Sequence, residues 1–96
     1  MLIELVRVIK FGNDYTLKKV FINPKQIIYV QADDAMLRTL NEGGIPLDLH
    51  QSTGFSKVKL ESNGLIEDMV VVGDPEIIHE KIRRNFIMNN KQLLRD

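Results

Sequence analysis

The chain has 96 residues, thirteen basic and thirteen acidic, with 44% apolar and 27% charged residues and no cysteine. That length supports one modest core and not two, and the balanced charge creates no overall field that would draw the molecule to nucleic acid or an anionic membrane. The lack of cysteine excludes a disulfide scaffold, a thiolate metal site and a cysteine nucleophile, and is compatible with a reducing cytosol, the expected location. The start of the chain mixes charged residues (Glu4, Arg7, Lys10) with apolar ones and does not read as a signal peptide, and no apolar run approaches the ~18 residues of a membrane span.

In chain order, Leu2 to Ile9 is apolar and β-branched, interrupted by Glu4 and Arg7, and predicts a strand. Phe11-Gly12-Asn13-Asp14 is a turn, since Gly and Asn tolerate the positive φ that tight hairpins need. Tyr15 to Ile22 returns with Tyr15, Leu17 and Phe21 on one face and Thr16, Lys18, Val20 and Ile22 on the other. Asn23-Pro24 makes a second turn, with Pro fixing φ and removing a ladder donor, and Gln26 to Gln31 predicts a third strand. Phe55–Leu60 and Ile66–Val72 are joined across Asn63-Gly64, a strong hairpin signal; Phe55, Lys57 and Lys59 are expected on the face opposite Val58 and Leu60. Gly73 then breaks the valine run, Asp74 is a preferred N-cap, and Pro75 suits the first helical position. The helix Pro75–Phe86 is expected to turn Ile77, Ile78, Ile82 and Phe86 to the core, with Glu76, Glu80, Arg83 and Arg84 elsewhere.

Between the third and fourth strands, Asp33 to Gly43 reads as a short helix with an acidic start and a glycine stop, presenting Met36, Leu37 and Leu40 on one side. Gly44 to Thr53 follows as an ordered loop or flap containing His50. Residues 87–96 form a polar tail in which Asn89-Asn90 predicts a break. The chemistry-bearing patterns are sparse. His50 and His79 lack a second ligand at metal-binding spacing, and Asp33, Asp34, Glu42 and Asp48 match no compact cation loop. No phosphate-binding glycine motif occurs, and no cofactor is expected. Lys81, Arg83, Arg84, Lys91 and Arg95 form a run without an acid. With Lys57 and Lys59 beside Phe55, Arg83 and Arg84 make a candidate basic face of the kind small barrels use for single strands.

Asn23-Pro24 with Ile27-Ile28 and Val30, then Lys57-Val58-Lys59-Leu60, Asn63-Gly64, and Val70–Val72 leading to Pro75-Glu76-Ile77-Ile78, resembles the small FlbD-type flagellar proteins. The pattern also looks like the SH3-like barrel proteins of tailed phages. The resemblance implies a short β-rich domain with a C-terminal helix and no catalytic residues to carry over. The segment Ala32–Thr53 and the tail beyond Phe86 depart from the flagellar pattern.

The expected fold is therefore mainly β with a C-terminal helix: a five-stranded, partly closed SH3-like barrel over residues 1–73, a helical insertion at 32–54, a closing helix at 75–86 and a tail at 87–96, all in one domain. The expected function is a non-enzymatic interaction or regulatory module, phage-encoded by the resemblance. It would bind another protein or itself through Met36, Leu37, Leu40 and His50 of the insertion and through the basic tail. The alternatives are nucleic-acid binding through Lys57, Lys59, Arg83 and Arg84, and a small-molecule-sequestering oligomer with its pocket between subunits.

Overall fold

The computed structural model describes the backbone of residues 1–41 and 54–95, and the side chains of residues 1–39 and 54–87. Five strands form one antiparallel sheet: β1 (Ile3–Phe11), β2 (Asp14–Ile22), β3 (Ile27–Ala32), β4 (Phe55–Ser62) and β5 (Leu65–Val72). Two α-helices accompany it, α1 (Asp34–Asn41) and α2 (Pro75–Arg95). Both expected hairpins form with two-residue turns. Phe11 pairs with Asp14 around Gly12-Asn13, and Ser62 pairs with Leu65 around Asn63-Gly64. Asn63 and Gly64 have φ of 52° and 83°, the doubly left-handed geometry whose twist matches that of the flanking strands.

The strand order is β2-β1-β5-β4-β3, so β2 and β3 are the two edges and the sheet is open. The barrel closure expected from the sequence would require β2 to pair with β3. That pairing is absent among the described residues, where Asn23 and a single 3₁₀ turn (Pro24–Gln26) link the two strands. The Asn23 side chain accepts from the Lys25 N–H at 3.0 Å and stabilises this turn.

Strand alternation gives the sheet two different faces. On one, Ile3, Leu5, Ile22, Val58, Leu60, Met69 and Val71 join Ile78 of α2 in the main buried cluster. On the other, Val8 and Phe55 are buried, with Tyr15, Leu17, Val70, Val72 and the α1 residues Met36 and Leu37 packed around them. The sheet therefore separates the two helices. Asp33 caps α1, its carboxylate accepting from the Met36 N–H at 3.0 Å.

The start of α2 is fixed at the junction of β4 and β5. The Gly73 N–H donates to the Gly54 carbonyl at 2.8 Å, and the fully buried Ser56 hydroxyl donates to the Gly73 carbonyl at 2.8 Å. Asp74 then caps the helix, accepting from the Ile77 N–H at 3.0 Å. The helix lies over the main core with β1 on one side of it and β3 on the other. Lys81 donates to the Glu4 carbonyl at 3.0 Å and Asn85 to the Leu2 carbonyl at 3.5 Å, while Ile82 packs against the main cluster. Two expectations for α2 are corrected. Ile78 is fully buried, but Ile77 is 50% exposed and Phe86 64% exposed, so the core-facing stripe is narrower than four apolar residues. The helix also does not end at Phe86; it continues through Asn89 and Asn90 to Arg95.

Candidate interaction surface

A concavity lies where α2 runs beside the edge strand β3. A groove of about 400 Å³ is lined by Ile27, Tyr29 and Val30 from β3 and by Pro75, Glu76, His79 and Ile82 from α2. Beyond Ile82 a second hollow of about 270 Å³ continues between Pro24 and Lys25 on one side and Asn85 and Phe86 on the other. Ile82 lines both, so the two adjoin as one trough along the helix, apolar in the first hollow and mixed in the second, where Asn23, Lys25 and Asn85 contribute. On the same edge strand Ile28 is 48% exposed and Tyr29 38% exposed. Apolar surface gathered along one groove is the usual mark of a binding surface.

The two sheet edges differ in chemistry. β2 reads DYTLKKVFI and carries Asp14, Lys18 and Lys19, the charged residues that natural edge strands use to discourage pairing with another chain. β3 reads IIYVQA and carries no charge. A register shift between Ile27 and Tyr29 marks a bulge near its start, after which the ladder with β4 is regular through Ala32. Asp33 N–H donates to the Phe55 carbonyl at 2.9 Å. By antiparallel alternation Gln31 and Tyr29 are therefore the other residues bonded to β4, while Val30 and Ala32 direct their backbone N–H and C=O away from it.

The residues singled out from the sequence are distributed differently from the expectation. Met36 and Leu37 are half-buried against the Val8–Phe55 cluster, so α1 spends its apolar face on this molecule's own sheet. The Leu40 side chain and His50 lie outside the described residues, as do Glu42 and Asp48. Lys57 and Lys59 share the Phe55 face, as their alternation predicts, and Lys59 lies 5.3 Å from the centre of the Tyr29 ring and 3.7 Å from Asp68. Arg83 and Arg84 belong to α2 on the opposite side of the sheet, and both pair with Glu80, at 2.9 and 3.2 Å. The four cations therefore do not form one basic face. Sequence reasoning passed over the β3–α2 trough, for which the signal was the uncharged run Ile27–Ala32 against the lysines of β2.

The Glu80 cluster gives a pH prediction. Hydrogen bonds from Arg83, with further attraction from Arg83 and Arg84, hold the Glu80 carboxyl down to about 2 from its ordinary 4.5. A depressed folded-state value means that the pair's contribution is present above the unfolded value near 4.5 and is lost as pH falls toward about 2. Carbon-detected NMR of the side-chain carboxyl is expected to give a Glu80 midpoint near 2 in the native protein and one near 4.5 in Arg83→Ala/Arg84→Ala, with little change in global stability because the pair is exposed. An unshifted midpoint in the native protein would show that the pairs do not persist in solution.

The geometry defines a small antiparallel β protein with a helix on each face and an apolar groove beside an uncharged edge. Among the described residues no group of His, Asp and Glu is placed to hold a metal ion, and no helix is long and apolar enough to cross a membrane. Comparison with family models, curated proteins and solved structures finds no match to the chain.

Proposed function

We propose that this protein is a non-enzymatic interaction module that engages another polypeptide, a partner protein or a second copy of itself, through the trough between β3 and α2. The observation that carries this reading is the coincidence of an uncharged edge strand, whose Val30 and Ala32 backbone groups point outward, with an apolar groove of about 400 Å³ directly beside it. An extended segment added to such an edge gains backbone hydrogen bonds, and the groove supplies side-chain pockets. The strand order is the one a small barrel has when a single seam is opened, here between β2 and β3. The resemblance to small flagellar and phage barrel domains is consistent with a regulatory adaptor. Nucleic-acid binding is less well supported, since Arg83 and Arg84 are held by Glu80 across the sheet from Lys57 and Lys59.

The test is selection of peptides from a displayed random library against the full chain. Enriched sequences are expected to be extended and rich in β-branched residues. Their binding is expected to weaken at least roughly tenfold in Ile28→Lys/Phe86→Asp, which alters an exposed side chain of the β3 edge and an exposed side chain lining the second hollow. Peptides that bind that variant as well as the native chain would overturn the reading, as would a library that yields no binder together with a chain that never self-associates.

A further inference from the structure

We infer that the occupant of the β3 edge is a second copy of this chain, paired antiparallel through β3 about a two-fold axis near Gln31, which sets Val30 of each copy opposite Ala32 of the other and gives a continuous ten-stranded sheet. This rests on the interaction-module reading and specifies its partner. The first argument is self-complementarity. Two-fold pairing of a strand with itself places like residues near one another, which for β2 would oppose Lys18 and Lys19 to their own copies across the axis. β3 has no charge to repel its copy, and the outward groups of Val30 and Ala32 can be satisfied by the same groups of the partner strand.

The second argument is charge placement. β5 ends at Val72 opposite Phe55, and Ser56 pairs with Ala32, so α2 begins near the Ala32 end of β3 and runs back toward Pro24. The trough accordingly has Glu76 toward one end and Lys25 at the other. Neither side chain has an ion-pair partner among the described residues. An antiparallel copy brings the N-terminal end of one β3 to the C-terminal end of the other, which sets Lys25 of each molecule toward Glu76 of its mate, twice by symmetry. The formal net charge of zero adds no long-range repulsion between copies. Electrostatics at such a rim fixes register and orientation more than affinity, so it also selects the antiparallel arrangement over a slipped one.

The experiment is solution mass measurement by light scattering over a concentration series, on the native chain and on Lys25→Glu, Glu76→Lys and the double variant. Both changed residues are exposed, and circular dichroism confirms that each variant stays folded. The native chain is expected to form a dimer. Each single reversal is expected to weaken dimerisation roughly tenfold or more by opposing like charges twice, and the double reversal to restore it. An equimolar mixture of the two single variants is expected to form a heterodimer, because every contact is then of opposite sign. A native chain that stays monomeric at all concentrations overturns the inference while leaving peptide binding at the trough to be judged by its own selection. A dimer that is indifferent to both single reversals and to Ile28→Lys also overturns it, since the copies would then meet on another surface.

Discussion

Ile78→Ala is expected to cost about 2–5 kcal/mol of stability, the range for removing a buried aliphatic side chain that cannot be backfilled. Ile78 is fully buried in the main cluster and is the α2 residue that joins it as a completely enclosed member. Its loss opens a cavity between the helix and Leu5, Val58 and Val71, each also fully buried. A domain of this size holds roughly 5–15 kcal/mol in total, so the variant sits near the edge of folding at physiological temperature. Ile77→Ala is the control. Ile77 is half exposed, and its truncation is expected to change stability by less than about 1 kcal/mol. Urea unfolding followed by far-UV circular dichroism measures both, and equal midpoints for the two variants would mean that α2 is not docked in the orientation described here.

Gly73→Ala is expected to destabilise by about 1–3 kcal/mol, and for a different reason. Gly73 has a φ of 113°, where an L side chain is strained. An added Cβ would meet Ile77 and Ile78 side-chain carbons at 3.5 Å, which is ordinary contact, so the penalty is conformational rather than steric. The residue cannot relax cheaply because its N–H bonds to Gly54 and its carbonyl accepts from buried Ser56. Gly12→Ala is the comparison: φ is 63° and nothing lies within 4 Å, so the turn is free to shift and the cost is expected to be about 1 kcal/mol. Thermal unfolding of the two variants under one buffer decides the matter; equal losses would show that the junction does not constrain Gly73.

Much of the architecture was legible because local chemistry and tertiary demand agree. Asn63-Gly64 can supply two positive φ values, Asp74-Pro75 both ends one segment and starts the next, and Phe55–Leu60 alternates as the two-sided sheet requires. Helix orientation was not legible in detail. Ile77 and Ile78 differ by about 100° around the axis, so a sheet that contacts a narrow stripe can bury only one of them, and apolarity alone does not say which. The helix end was missed because Asn89-Asn90 carries only a modest propensity cost, without the Gly or Pro that enforces a stop. The candidate basic face failed for a topological reason: a strand's alternation places Lys57 and Lys59, whereas the crossing of α2 places Arg83 and Arg84, and no local pattern links the two. The trough is likewise a product of topology: the uncharged run Ile27–Ala32 marks an edge open to pairing, but only the path of α2 beside it makes the groove.

The attachment of β1 to the remainder of the sheet has a consequence for the chain during synthesis. The β1–β2 ladder closes over a two-residue turn, so it can zip as soon as residue 22 has emerged. Among the described residues its registered partners outside that hairpin are Arg7 with Val71 and Val8 with Val70, the first pair 64 positions apart. At translation rates of roughly 5–20 residues per second, the finished hairpin waits several seconds with Ile3, Leu5 and Ile22 uncovered. Order of emergence thus makes the first half of the sheet dependent on the last strand made, and the lysines of β2 guard the nascent hairpin during that interval as well as the finished edge.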